Sequence, residues 1–383
     1  MDLELSADQE LLAETTRRFL ETACPLTEVR RLEAEGGGFE PAYWRQGAEL
    51  GWTAMLVPEA DGGGSVSGDG LRDLVLVAEE VGRLVSPGPL LVVNVVADAV
   101  ARHGTPDQRA QMLPDLVAGE RVATWAFAEA PARWDAAGVA LTASRAGDSW
   151  SLTGTKTYVE AATVADVFLV TARTGDGLTQ FLLPAGIDGV TVTPLGSLDF
   201  TRRYGRVDFA GAAVPASAVL GSVGDAEVDV ERQLQVALAV QNAETVGATS
   251  VVLDFTLQYA QDRIAFGRPI GSYQALKHRF ADMRTWLEAC HATATASARA
   301  VQADAANASE LTSVAKAYIA DRCPAIIQDC VQLHGGIGVT WEHDLHLYLR
   351  RVEQNAVLYG SVQQHRDRVA LLVGMPAEGS VAS

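Results

Sequence analysis

The sequence predicts an α+β protein built from three consecutive segments: a helical one, a β-rich one, and a second helical one made of long helices. Three observations predict it. Apolar residues recur at helical spacing up to about residue 122. Between 123 and 226, short apolar runs alternate with Gly, Asp and Pro turns roughly every ten residues. From Ala226 to Arg263 there is no proline and a single glycine, Gly247. The expected domains are therefore 1–122, 123–226 and 227–375, with 376–383 as a flexible tail.

In the first segment, Ser6 with Gln9 three residues later forms a capping-box signal that opens a helix carrying Leu11, Leu12, Phe19 and Leu20. Phe39 to Leu50 and Asp69 to Leu84 repeat that amphipathic texture, and Pro58 to Gly64 reads as a turn-forming loop. In the second, Val167 to Val170, Phe181 to Leu183 and Val190 to Val192 read as strands of a compact antiparallel barrel or sandwich. The third holds a helix over Ala226 to Arg263, stopped by Gly267, Pro269 and Gly271. Two more follow, from Tyr273 to Ala305 and from Leu311 to His334, giving a four-helix-type bundle with apolar faces broad enough to pack on another subunit.

Composition excludes several classes. With 383 residues, 48% hydrophobic and 20% charged, the chain buries a large core and is not disordered. Its net charge of −18, with no basic run, argues against a nucleic-acid partner. Cys24, Cys290, Cys323 and Cys330 show no metal spacing and read as reduced thiols. The start, Met1-Asp2-Leu3-Glu4, is acidic and lacks an apolar signal core, and the run Leu90 to Ala101 is interrupted by Asn94 and Asp98, too short to span a bilayer. A soluble, cytoplasmic protein without metal or membrane is expected.

Three short constellations could carry chemistry. Arg263-Ile264-Ala265-Phe266-Gly267-Arg268-Pro269, followed by Gln274, places an arginine at a helix end beside a tight turn. Such a guanidinium either clamps a phosphate with two donors or simply answers the helix dipole. Gln332-Leu333-His334-Gly335-Gly336-Ile337-Gly338 leaves backbone open to close ligand approach, with His334 by itself a structural histidine. Tyr359-Gly360-Ser361-Val362-Gln363 says only that the chain turns. Walker, GxSxG and HExxH templates are absent.

Taken together, the order and spacing of these pieces resemble the acyl-CoA dehydrogenase family over essentially the whole chain. The resemblance is carried by Leu50-Gly51-Trp52 with Val57-Pro58-Glu59, Gly154-Thr155-Lys156-Thr157 leading to Ala165-Asp166, Arg263 to Met283, and Gln332 to Gly338. It implies FAD at a subunit interface, gripped by the C-terminal helices of a neighbour. By position, Arg263 pairs with the pyrophosphate, with Phe266 and Gln274 beside it, Gln332 and Gly336 face the adenosine, and Ser361 and Gln363 follow in the final loop. The implied reaction removes two hydrogens from an acyl-CoA: a carboxylate takes the α-proton, a hydride goes to the flavin, and electron transfer flavoprotein is the expected acceptor.

The chain departs from that pattern on its other side. The glutamate expected just before Gly360 is Tyr359, a poor base with an ordinary pKa of about 10. The alternative family position for the base falls on Ala237, and Glu244 lies two helical turns later on the same face, either as a base or as a buried interhelical acid. The flavin-contacting stretch reads Ala128-Glu129-Ala130 and Arg133-Trp134-Asp135, and Tyr158-Val159-Glu160 places a carboxylate near the flavin. An intact neighbour-facing half with an altered self-facing half suggests one subunit of an α2β2 assembly with a related chain, as in heterotetrameric members acting on steroid and other bulky acyl-CoA substrates. Three other readings stay open: an active homotetramer using Glu244, a flavin monooxygenase on the same framework, and a scaffold subunit without flavin.

Overall fold

The structure is a computed structural model that describes residues 5–375; the proposed tail 376–383 and the acidic start Met1 to Glu4 lie outside the described residues. Ser6 Oγ accepts from Gln9 N and Gln9 Oε1 from Ser6 N, both at 3.2 Å, so the capping box opens α1 (Ala7–Ala23). Gln9 is itself buried, and its Nε2 donates to Asp73 Oδ1 at 2.9 Å, tying the start of α1 to α4 (Gly70–Arg83). Between them lie α2 (Leu26–Ala34) and α3 (Pro41–Glu49). Helix α2 escaped the sequence pattern because only Val29 and Leu32 of its nine residues are buried. The apolar run becomes α5 (Leu90–His103), in which every residue from Leu90 to Val100 is buried and Asn94 Nδ2 donates to Leu90 O and Trp52 O. A second capping box, Thr105 with Gln108, opens α6 (Pro106–Val117).

The strands of the middle segment join in one continuous eight-stranded sheet. Its strands are β1 (Ala123–Ala126), β2 (Thr142–Ala146), β3 (Ser149–Glu160), β4 (Val167–Thr174), β5 (Gly177–Pro184), β6 (Val190–Leu195), β7 (Tyr204–Pro215) and β8 (Val219–Leu220). The order is β6-β7-β3-β2-β4-β5-β8, with β1 added parallel on β4. Most neighbours are antiparallel, as expected, but β4 is parallel to β1 and, at one bridge, to β2. A parallel pair needs a long connection: between β1 and β4 run residues 127–166, which include β2, β3 and the loop 127–141 that carries Trp134 toward Tyr359 of the C-terminal segment. The sheet has its own apolar core around Trp150, Phe168, Phe181 and Phe209.

The C-terminal segment begins with α7 (Glu227–Asp262), within one residue of the expected span at each end. After a short hairpin, β9 (Ile264–Ala265) and β10 (Arg268–Pro269), come α8 (Gln274–Gln302), α9 (Ala308–His334), α10 (Leu345–Val357) and α11 (Val362–Leu372). Helix α7 is long and apolar enough to cross a membrane, yet 94% of its most apolar window is buried inside the fold. Helices α4, α5, α8, α9 and α10 all pack on it, which is why it is apolar on every side. The broad faces attributed to packing on another subunit are thus largely covered within the chain. Helix α8 differs, with few of its residues buried.

Helix α4 crosses α7 at two glycines. A Cβ on Gly82 would lie 2.0 Å from Glu244 O, and one on Gly247 would lie 2.0 Å from Glu79 O. Helix propensity alone makes Gly247→Ala stabilising by about 1 kcal/mol. The crossing reverses the sign: the helices must separate, and we expect a loss of about 2 kcal/mol, seen as a lowered melting temperature. A raised one would contradict the close crossing.

Buried between α7, α9 and α10, Lys316 donates to Gln241 Oε1 at 2.5 Å and to Asn355 O, and among the described residues no carboxylate pairs with it. Burial pushes its pKa down from 10.5 to about 7. Between those values the unfolded chain holds the proton and the folded chain does not, so this group makes stability rise with pH from about 7 toward 10.5. Urea unfolding at pH 7 and pH 9 should show a gain of about 2 kcal/mol in the wild type that Lys316→Met lacks. Equal pH slopes in the two proteins would contradict a buried, uncompensated amine.

Candidate functional site

Five of the predicted cofactor residues meet at one end of α7. Arg263 is its C-cap and is exposed. The hairpin turns at Phe266 and Gly267, with φ of 53° and 83°. That pair of left-handed residues is the signature of a two-residue hairpin, and a phenylalanine there is strained. Phe266 is nevertheless 97% exposed, projecting from the chain. The Arg268 guanidinium lies 3.9 Å from the centre of the Tyr273 ring, which fixes the hairpin against the start of α8, where Gln274 is exposed. Tyr259, one turn before Arg263, stacks on His334 at 4.4 Å and brings the end of α9 alongside. Gln332 and Gly336, on either side of His334, are exposed, and a Cβ on Gly335 or Gly336 would meet nothing within 4 Å.

Ser361 and Gln363 are not part of that cluster. Ser361 caps α11, accepting from Gln364 N at 3.3 Å, and Gln363 Nε2 donates to Asp367 Oδ1 at 2.7 Å. Arg368 of the same helix pairs with Glu231, near the start of α7. Glu231 and Tyr259 are separated by roughly 40 Å along α7 at 1.5 Å per residue. Within one chain the seven residues therefore fall into two places, one at each end of the longest helix. No sequence pattern signalled that split, because it depends on how α7 and α11 pack.

The loop before α11 reaches the middle sheet. Tyr359, 5% exposed with φ of 60°, lies 4.8 Å from the Trp134 ring and 6.2 Å from that of Trp125, which stacks on Phe127 at 4.8 Å. Trp134 also approaches Tyr158 at 6.5 Å. Tyr359 O accepts from His365 Nε2 at 2.9 Å, and a Cβ on Gly360 would sit 2.5 Å from that nitrogen, so only glycine permits this turn. Burial raises the Tyr359 pKa well above 10, leaving a neutral phenol that cannot serve as a base. Above these rings a cleft of about 860 Å³ is bordered by Arg133 and Arg368 against Asp135, Glu227, Glu231 and Asp367. Its mouth is acidic.

Lys156 of the recognised motif holds the loop that carries Trp134. Its Nζ donates to Glu129 Oε1 at 2.7 Å and Phe127 O at 2.9 Å, while Glu129 accepts from Leu141 N at 2.9 Å. Burial lowers the Lys156 pKa to about 8 against the opposing pull of Glu129.

Glu244 sits at the junction of all three segments and is 2% exposed. It accepts from Arg202 Nη2 at 2.6 Å, from Arg351 Nη1, and from Asn355 Nδ2 at 3.4 Å. Arg351, fully buried, also pairs with Asp199 and donates to Thr201 Oγ1 and Val85 O. Both guanidinium groups converge on Oε1, leaving Oε2 with the Asn355 amide, so the carboxylate is held as the shared anion of two arginines. Glu160 lies 3.5 Å from Arg202, but burial is the stronger influence and raises its pKa. It is held toward the neutral form, where the sequence suggested a negative charge. Arg202, Asp199 and Arg351 were not legible as a set; the one signal was an acid, Glu244, inside an apolar helix, which requires buried partners.

Residues 6–120, 124–202 and 228–372 match the N-terminal, middle and C-terminal domains of acyl-CoA dehydrogenase, a family of FAD flavoproteins. The chain is 32% identical over 369 residues to acyl-CoA dehydrogenase IpdE2 of Mycolicibacterium smegmatis, covering 95% of this chain and 98% of the relative. It superposes on the ChsE4-ChsE5 complex of Mycobacterium tuberculosis with a TM-score of 0.87 and 29% identity, covering 98% of this chain and 100% of that one. On the Tcur3481-Tcur3483 steroid ACAD the TM-score is 0.86 with 29% identity, covering 98% and 99%. These matches span every segment of the fold, and the chain belongs to the acyl-CoA dehydrogenase family.

Proposed function

We propose that the chain is one subunit of an α2β2 acyl-CoA dehydrogenase, gripping the dinucleotide end of an FAD whose reactive ring lies against a related chain. The observation that carries this reading is the burial of Tyr359 against Trp125 and Trp134. Tyr359 stands at the position that the family pattern gives to the base, and Trp134 in the stretch that it gives to the flavin contact. The residues present there do not fit an isoalloxazine ring, and we derive no chemical step through them.

The outward end of α7 does fit its part of the cofactor. The Arg263 fork matches two pyrophosphate oxygens, the bare backbone at Gly335 and Gly336 admits close approach, and Phe266 offers an apolar face. Bound FAD supplies the hydride acceptor; this chain orients it. Glu244 serves as the buried acid of the three-segment junction, and the base comes from the related chain. The acidic mouth above Tyr359 disfavours the phosphates of coenzyme A, consistent with acyl-CoA binding on the related chain. Likeness to a steroid ACAD makes a bulky, ring-bearing acyl group the preferred substrate class, and electron transfer flavoprotein the preferred acceptor.

The test is expression with and without a homologous acyl-CoA dehydrogenase chain. Alone, the protein should be colourless and leave a dye acceptor unreduced when given a ring-bearing acyl-CoA. Co-purified with the homologue it should be yellow and active. A yellow, active preparation of this chain alone would overturn the reading.

A further inference from the structure

A second cleft, of about 600 Å³, lies between α1, the end of α4, α7 and the loop that joins α9 to α10. Its walls are aromatic. Phe255 stands 5.7 Å from His334 and 6.1 Å from Tyr348, edge-to-face with both, and 5.6 Å from His343, while Tyr259 stacks on His334 at 4.4 Å. The loop is latched by Arg30, which donates to Asp344 Oδ1 at 2.7 Å and to Trp341 O at 2.9 Å, so the position of His343 is set in advance.

The two histidines have their tautomers fixed by the backbone. His334 Nδ1 lies 2.9 Å from Cys330 O, a carbonyl that can only accept, so Nδ1 carries the proton and Nε2 keeps a lone pair. His343 Nδ1 accepts from Leu345 N at 3.1 Å, so its proton resides on Nε2. Burial lowers the His343 pKa, which keeps that ring neutral at neutral pH. His334 is 4% exposed, and among the described residues its ring makes one hydrogen bond, through Nδ1, leaving Nε2 without a partner. One bare acceptor and one bare donor, 4.8 Å apart by ring centres, thus line the same cleft.

We propose that this cleft is a binding site for a neutral, planar ligand with a neighbouring donor and acceptor on one edge, as in a carboxamide or an aminopurine. The ligand's N–H meets His334 Nε2, and its carbonyl or ring nitrogen receives His343 Nε2–H. The aromatic walls take its faces. A neutral ligand fits because the charged residues that line the cleft balance, Arg17 and Arg83 against Glu21 and Asp344, with Arg17 and Arg83 also facing Glu80 and Asp344 facing Arg30. The site is separate from the proposed FAD grip. Gln332 and His334 are two residues apart on α9 and so face different directions, and none of the five residues at the Arg263 end lines the cleft. The inference therefore stands whether or not the chain holds flavin.

The test uses the purified assembly with nicotinamide, adenosine and N,N-dimethylnicotinamide as probes, read by ligand-observed NMR and calorimetry. An asparagine amide can stand in for Nδ1 of histidine and lacks Nε2, so His334→Asn and His343→Asn can keep the backbone contacts while removing Nε2 together with the ring contacts to Tyr259 and Phe255. Nicotinamide or adenosine should bind the wild type, and each variant should weaken binding about tenfold, the usual effect of one lost hydrogen bond. N,N-dimethylnicotinamide should bind at least tenfold more weakly than nicotinamide. Preference for nicotinamide identifies a carboxamide as the natural edge, and preference for adenosine a purine. Binding of neither probe at millimolar concentration, equal binding of the dimethyl compound, or unchanged affinity in both variants overturns the proposal. The dimethyl comparison needs no variant to fold.

Discussion

Arg351→Met should destabilise the protein by about 3–5 kcal/mol, the usual cost of breaking a buried pair from one side. Arg351 is fully buried and is shared between Asp199 and Glu244, with Thr201 and Val85 O completing its donors. Methionine fills much of the volume but leaves two carboxylates facing each other with only Arg202 to answer them. Urea denaturation at pH 7 measures the loss. Adding Glu244→Gln to Arg351→Met should recover part of it, since one stranded charge is removed, and the double-mutant cycle gives the coupling. A loss below about 1 kcal/mol would show that the junction does not depend on this guanidinium. The result also bears on Glu244: were it a catalytic base rather than a structural acid, Glu244→Gln alone would abolish turnover without needing Arg351 to matter.

Arg263→Glu should weaken FAD retention in the mixed assembly by about 100-fold, corresponding to about 3 kcal/mol for replacing a charge-assisted fork by a repelling carboxylate. Arg263 is exposed at the end of α7, so the melting temperature of the apo-protein should hardly move. Dialysis followed by flavin absorbance measures retention. Ser361→Ala provides the contrast. Its hydroxyl caps α11, so the expected effect is about 1 kcal/mol of stability. Full retention of FAD by Arg263→Glu would remove the outward grip from the account.

The contrast between these two positions shows how far the sequence could be read. Capping at Ser6, the bounds of α7 and the exposed Arg263 turn were legible because each is set by residues within a few positions of one another. Helix α2, the parallel docking of β1 on β4 and the charge junction were not, since each depends on partners far along the chain, as with Arg351 and Asp199. The same limit applies to the site. Tyr359 was recognisable as a substitution, but its burial against Trp125 and Trp134 depends on three separate segments meeting. Nor could spacing reveal that Ser361 and Arg263 lie at opposite ends of α7. Glu244 was ambiguous for a related reason: a helical face gives direction but does not say which guanidinium groups wait there.

The most direct measurement is the amount of FAD per chain in the purified mixed assembly, from flavin absorbance and quantitative amino-acid analysis. An aromatic-filled pocket on this chain and an intact one on its relative predict one FAD for every two chains. One FAD for every chain would contradict the account, because it would place a flavin against Tyr359.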